Sequence, residues 1–275
     1  MATKDAHVEH CGADSDSSGA EAGVILRQAV LSSVLRDAGI NRGSRGLNLC
    51  CGHAASPLKL AETVGAHGSV FAMDQSAEVL DGARDLASRW GVGSRLSWRK
   101  GGILELPYSD NAFDWVFSLD GGPFTPANGG DAARELARTL RPGGRLILLG
   151  VTAKALLPGH APLEARLNQA AAEQGELGKL LHHGGAWTWA AGLQPPVLSS
   201  CLDELRGPLE EHQSRALARR FERAIDALER SHGLAPEDKT RLRELCNPDA
   251  ADCIFRRPDY YGVITYTVLQ ARKGG

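Results

Sequence analysis

The sequence predicts an α/β chain built on a seven-stranded, mostly parallel sheet with an antiparallel C-terminal strand and a helical cap inserted before it. Three observations carry this. Short apolar runs alternate with helical stretches between residues 44 and 150, the pattern of a parallel sheet covered by helices. The rhythm then breaks for about a hundred residues of mostly helical, Gln- and Glu-containing sequence, which implies an insertion. Aromatic and β-branched residues return in YYGVITYTVLQARK, a composition suited to a closing strand.

Taken in order, residues 1–18 are small and polar with nothing to bury, so a disordered tail is expected there. AGVILRQAVLSSVLRDAGI then sets Val24, Ile25, Val30, Leu31, Val34 and Leu35 at helical spacing, with Gly39 as the stop. GLNLC (46–50) reads as the first strand, and SPLKLAETVG as the helix behind it, with Ser56 as N-cap and Pro57 at the first helical position. SVFAM (69–73) is the second strand, followed by a helix from Ser76 to Trp90 that also opens on a serine cap. LSWRK, FDWVFSL and RLILLG supply strands three to five. The helix DAARELARTL precedes the fifth, and Arg141-Pro142-Gly143-Gly144 makes the turn into it. CIFRR and VITYTVLQARK are expected to pair antiparallel and complete the sheet. The domain plan is therefore a core over 19–150, a cap over 151–250 and terminal strands over 251–275.

With 275 residues the chain can bury a substantial core without disulfides. A net charge of -2 offers no global attraction to nucleic acid or anionic lipid, which leaves a small molecule as the expected partner. Of the six cysteines, Cys50 and Cys51 adjoin, while Cys11, Cys201, Cys246 and Cys253 lack CxxC spacing, so a reducing compartment and no metal centre are expected. The N-terminus has no apolar signal-peptide core and no run is long enough to span a bilayer, so the expectation is a soluble, cytoplasmic protein. A homodimer stays open.

The binding signal lies where the first strand meets its helix. A strand, a tight turn and a helix with free N–H groups make a site for a ligand carboxylate or phosphate, and CCGHAAS occupies that turn. Asp74, closing the second strand, stands twenty-two residues beyond Gly52, a spacing that suits a carboxylate accepting both ribose hydroxyls of a nucleoside. Three blocks, LNLCCGHAASPLKLAETVGAHGSVFAMDQS, GGILELPYSDNAFDWVFS and ARELARTLRPGGRLILLG, follow in order. With them the chain resembles the class I S-adenosylmethionine-dependent methyltransferases, especially the group similar to ubiquinone and menaquinone biosynthesis methyltransferases. The resemblance covers roughly residues 44–150 and implies a Rossmann-like fold with S-adenosylmethionine as cofactor and S-adenosylhomocysteine as product.

The same resemblance implies that Asn48 and the backbone around Cys50, Gly52 and Ala54 face the methionine end of the cofactor. It sets Asp74 on the ribose, Gln75 beside the adenosine, Gly102 and Ile103 about the adenine, and Ser118 under the sulfonium. Four positions depart from the family pattern. Asn48 stands where an acid is usual, Cys50 and Ala54 where glycines are, and Gly102 where an aspartate is.

Methyl transfer is an in-line displacement, so the protein has to align two molecules in a dry pocket and, where needed, remove a proton. His182 and His183, beside Trp187 and Trp189 in a glycine-flanked stretch, are candidate bases in an aromatic lid, or solvated histidines beside packing indoles. Asp120, after the fourth strand and before Gly121-Gly122, is a third candidate, or the start of a turn. Tyr260 and Tyr261 read first as packing residues. The expected function is therefore methylation of a small, partly apolar or aromatic metabolite at O, N or C. The altered loop also admits a cyclisation or isomerisation around a bound sulfonium, or a non-catalytic binding module.

Overall fold

The computed structural model describes residues 30–52, 55–119, 124, 127–173, 178–230 and 234–275. Residues 30–37 are helical (α1). Then come β1 (Arg45–Leu49), α2 (Ala55–Val64), β2 (Ser69–Asp74), α3 (Ala77–Arg89), β3 (Leu96–Lys100) and β4 (Phe113–Ser118), with α4 (Gly129–Thr139) leading into β5 (Leu140–Ala155). The remainder is α5 (Ala161–Glu173), α6 (Lys179–Ala190), β6 (Val197–Arg206), α7 (Glu211–Arg230), α8 (Pro236–Leu245) and β7 (Tyr261–Arg272). The strands form one seven-stranded sheet in the order β3-β2-β1-β4-β5-β7-β6. β1 to β5 pair in parallel, and β7 lies antiparallel between β5 and β6. The predicted mostly parallel, seven-stranded architecture is the one observed.

Alternation along the strands divides the core between the two sheet faces. Val70 and Ala72, Trp115 and Phe117, and Ile147 and Leu149 pack with α1, α2 and α3 on one face. Leu47 and Leu49, Phe113, and Leu146 and Leu148 pack on the other, with Leu136 of α4 and Trp187 of α6. Every second residue of a strand faces the same way, so runs such as RLILLG serve both layers, as a doubly covered sheet requires.

The predicted Ser76 cap holds: its Oγ accepts from the Val79 N–H at 3.3 Å. Ser56 is instead inside the first turn of α2, and its hydroxyl is used elsewhere. Arg141-Pro142-Gly143-Gly144 lies within β5, where Gly143 has φ +76° and its N–H donates to Lys273 at 3.0 Å. That bond ties the turn to the chain leaving β7.

The sheet's last partner is not CIFRR. Residues 254–256 form a 3-10 turn with Cys253, Ile254 and Phe255 buried in succession. β7 pairs instead with β6, drawn from residues expected to be a mostly helical cap. The physical reason is that β6 is an edge strand exposing Val197, Leu198 and Leu202, so VLSSCLDELR lacks the apolar alternation of a half-buried strand. The inserted helices accordingly fall into two groups, α5 and α6 before β6 and α7 and α8 after it. No described helix is long and apolar enough to cross a membrane.

Candidate active site

The C-terminal ends of β2, β1 and β4 lie side by side, with Leu49 in register with Met73 on one flank and Ser118 on the other. The chain winds outward from β1 to β2 and β3, then returns to β4 on the opposite side. This reversal opens the crevice in which α/β sheets bind ligands.

The loop after β1 occupies that crevice. Cys50 has φ +49° and Gly52 φ +47°, both in the left-handed region that costs an L side chain about 1–2 kcal/mol. Glycine at position 50 would avoid this; the chain accepts it with a cysteine. Among the described residues, a Cβ built on Gly52 would meet only the Cys50 carbonyl oxygen, at 3.8 Å. The Cys51 N–H donates to the Met73 carbonyl at 3.3 Å, and the Gly52 N–H to Asp74 Oδ2 at 3.2 Å. Asp74 Oδ1 accepts from the Ser76 N–H at 3.1 Å. A carboxylate has about four acceptor positions, so the bonds from the described residues use two of them. His53 and Ala54 lie outside the described residues.

Asn48 is fully buried beneath the loop, where Nδ2 donates to the carbonyls of Leu49 and Phe117 at 3.4 and 3.3 Å. Its Oδ1 accepts from Ser56 Oγ at 3.0 Å. Asn48 therefore joins β1, β4 and α2, a task for a neutral group that both donates and accepts, and its amide is occupied by the protein itself.

The other expected cofactor positions gather around the crevice. The Gly101 N–H donates to the Asp74 carbonyl at 2.9 Å, so the chain leaving β3 runs beside β2. A Cβ on Gly102 would stand 3.7 Å from Nε2 of the exposed Gln75, and Ile103 is buried with Leu49 and Met73. Ser118 is fully buried and its Oγ has no hydrogen-bond partner. A buried hydroxyl without a partner is costly; this one belongs to the last residue of β4, in register with Leu49 at the end of β1. The Gly52 loop, the Asp74 carboxylate and the unpartnered Ser118 hydroxyl together fit a nucleoside bearing a polar tail.

An ion-pair clamp that sequence reasoning missed fixes the segment after Ile103. Glu135 on α4 accepts from the Leu106 N–H at 2.7 Å, and Arg138 donates to the carbonyls of Leu106 and Tyr108 and to Asp110. Glu135 and Arg138 also pair with each other at 2.7 Å. This hydrogen bond from Arg138 holds the Glu135 carboxyl below the usual carboxylate range, and Glu135 in turn raises Arg138. The three-residue spacing within ARELARTL is the one signal that could have found it.

The stretch expected to be an aromatic lid is the helix α6. Gly184, read as a loop residue, allows close packing instead: a Cβ there would come within 2.3 Å of Leu269. Likewise Gly129, first residue of α4, leaves room for the Trp187 indole, which a Cβ would meet at 2.1 Å. Phe124, Trp187 and His183 form a stack with successive centroid separations of 5.6 Å and interplanar angles of 23° and 24°. His183 is the half-buried outer ring, whereas His182 is exposed and Trp189 points to solvent. Leu49, in register with Ser118, shares its sheet face with this stack. Asp120 lies outside the described residues.

Tyr260 is a packing residue, buried edge-on against Phe255 with its hydroxyl pushed up by burial. Tyr261 is partly exposed under Arg206. Among the described residues no three His, Cys, Asp or Glu side chains gather as a metal-binding group.

Residues 47–144 match a family model described as a methyltransferase domain. The chain is 33% identical over 130 residues to a 2-phytyl-1,4-naphtoquinone methyltransferase of Synechococcus elongatus, covering 46% of this chain and 51% of that protein. It is 32% identical over 119 residues to a demethylmenaquinone methyltransferase of Staphylococcus haemolyticus, covering 42% and 47%. The chain thus spans about half the length of the curated relatives it matches. Among solved structures, a Haemonchus contortus phosphoethanolamine N-methyltransferase, bound to phosphomonomethylethanolamine and S-adenosylhomocysteine, aligns with a TM-score of 0.57 at 13% identity. That alignment covers 94% of this chain and 58% of the other, and it shows a shared fold.

Proposed function

We propose that this chain, whose residues 47–144 match a family model described as a methyltransferase domain, is an S-adenosylmethionine-dependent methyltransferase of class I acting on a small molecule. The observation that carries the reading is the constellation at the sheet's switch point: Asp74 at the end of β2, bonded to the Gly52 N–H in the loop after β1, with Ser118 and its unpartnered buried hydroxyl at the end of the neighbouring β4. S-adenosylmethionine, when bound, supplies an activated methyl group on a positively charged sulfur.

Everything else falls to the protein. Asp74 holds the ribose through its carboxylate oxygens, while Gln75, Gly102 and Ile103 border the base. The loop from Cys50 to Gly52 presents backbone to the amino-acid tail, and Ser118 lies below the sulfur. The clamp of Glu135 and Arg138 keeps the base-side wall in place without touching the ligand. Alignment of donor and acceptor in a site closed to water is the chief source of rate in such a transfer.

The matched region stops at residue 144, so the acceptor is chosen by parts of the chain beyond it. The helices α5 to α8 are our candidate cap over the crevice. The named relatives are a 2-phytyl-1,4-naphtoquinone methyltransferase and a demethylmenaquinone methyltransferase, and the Phe124–Trp187–His183 stack supports a preference of this chain for a small, partly apolar or aromatic acceptor. Where that acceptor must lose a proton, His183 is the favoured base among His182, His183 and Asp120, because stacking on Trp187 fixes its ring. A cytoplasmic setting suits a soluble donor and unpaired cysteine spacing.

The test is twofold. Calorimetric titration should give a saturable site for S-adenosylmethionine and S-adenosylhomocysteine, and incubation with donor labelled in the methyl group should move label to a small-molecule pool. Absence of binding would sink the assignment of the site. Converted acceptor with intact donor would replace methyl transfer by a reaction that only borrows the sulfonium charge. His183→Asn should lower kcat by about 10²-fold or more while leaving donor affinity unchanged.

A further inference from the structure

β6 is the outer strand of the sheet, and among the described residues its second edge pairs with nothing. Proteins usually guard such edges with Lys, Pro or a bulge. Val197–Arg206 contains no Lys or Pro, its charged residues Asp203, Glu204 and Arg206 are confined to its last four positions, and its ten-residue register with β7 runs without a shift. It also carries Val197, Leu198 and Leu202, exposed by 68%, 43% and 59%.

The neighbouring helix extends the patch. Leu198 pairs in register with Leu269, over which Gly184 of α6 is packed, so Leu198, Ser200 and Leu202 lie on the α6 side of the sheet. On α6, Trp187 and Ala190 abut Gly129 and Gly130 of α4. Leu181 and Trp189 follow at helical spacing on the flank away from α4, and they are 50% and 79% exposed.

We propose that β6 is the two-fold interface of a homodimer, in which it pairs antiparallel with β6 of a second copy about an axis through Ser200. Directly opposed residues of an antiparallel pair share a face, and an isologous contact must be complementary to itself. With the axis at Ser200, Leu198 faces the second copy's Leu202, and Leu202 faces the second copy's Leu198. The apolar pairs are therefore made twice, flanking a Ser200 pair. Glu204 and Arg206 fall outside these pairs and do not meet their own copies. The two sheets join into one, and the edge disappears.

The area agrees with a stable pair. Taking about 100 Å² for a fully exposed aliphatic side chain and about 200 Å² for an indole, the exposures of Leu181, Trp189, Leu198 and Leu202 leave roughly 300 Å² of apolar surface per copy on the α6 side, to which Val197, on the other face of the same edge, adds about 70 Å². A standard interface takes about 800 Å² from each partner, a little over half of it apolar.

Sedimentation velocity on the full chain at about 1–100 µM is expected to show a dimer. The double substitution Leu198→Lys with Leu202→Lys, which opposes lysines across the axis, should yield a monomer that retains its far-ultraviolet circular dichroism. Ser200→Cys in a Cys201→Ser background tests the register: opposed Cα atoms lie about 4.5–5.5 Å apart, within disulfide reach. Diamide, taking two electrons and two protons from the two thiols, should then link the copies covalently. A monomeric parent chain throughout this range, a dimer that survives both lysines, or a Ser200→Cys dimer that does not cross-link would each overturn the proposal.

Discussion

Asp74→Ala is expected to weaken S-adenosylhomocysteine binding by at least about 100-fold. Among the described residues both Asp74 oxygens accept one backbone N–H, from Gly52 at 3.2 Å and Ser76 at 3.1 Å. A hydrogen bond to a charged acceptor contributes about 1.5–3 kcal/mol. Losing two such bonds to ribose hydroxyls therefore costs about 3–6 kcal/mol, against about 1.4 kcal/mol for each tenfold in affinity. The lower end gives the stated factor, and loosening of the Gly52 contact adds to it. Calorimetry on parent and variant measures the ratio directly. Asp74→Asn separates the contributions, since an amide keeps one acceptor oxygen but lacks the charge, so its affinity should fall between the two. Thermal melts of both variants establish that the fold survives. An affinity for S-adenosylhomocysteine within about threefold of the parent in a folded Asp74→Ala variant would refute the ribose assignment, and with it the reading of the crevice.

Gly129→Ala should lower stability by about 1–3 kcal/mol, because its Cβ would fall 2.1 Å from the Trp187 indole; a thermal melt followed by indole fluorescence checks it. Cys50→Gly should leave stability within about 1 kcal/mol, since relief of the left-handed φ is offset by a more flexible unfolded chain. Gly52→Val should reduce cofactor affinity, as it places a branched side chain at φ +47° in the loop; titration compares the two. Because the Arg138 hydrogen bond lowers the folded-state pKa of Glu135, the pair stabilises the fold above the ordinary Glu pKa of about 4.3 and loses that contribution as pH falls through the depressed value. Glu135→Gln should therefore flatten the loss of stability below about pH 4 in urea titrations, and an unchanged acid limb would remove Glu135 from that account.

Much of the donor half was legible along the chain, because its determinants are local. The apolar runs of β1, β2, β4 and β5, the Ser76 cap and the interval from Gly52 to Asp74 each depend on spacing within one strand–helix unit. Asp74 could be marked by its interval from Gly52, whereas Gly102 and Ser118 are placed by the family resemblance alone. Asn48 shows the limit: the resemblance sets it at the methionine end of the cofactor, but only packing shows that its amide bonds Phe117, Leu49 and Ser56.

Beyond residue 150 the determinants are tertiary. β6 exists because β7 offers it an edge, and an edge strand exposed on its outer side has no alternation to announce it. CIFRR looks like a strand but turns, since three buried residues in succession fit a packed 3-10 turn as well. The glycines around His183 suggested a loop by composition; Leu269 and Trp187, remote in sequence, make them contact points of a helix. By itself the sequence determined the parallel sheet, its order of strand and helix, and the position of a carboxylate at the end of β2, because periodicity and interval encode them. Tertiary structure alone decided which strand closes the sheet, which face of α6 meets it and which rings stack beside the crevice, because those depend on surfaces that meet only after the chain has folded.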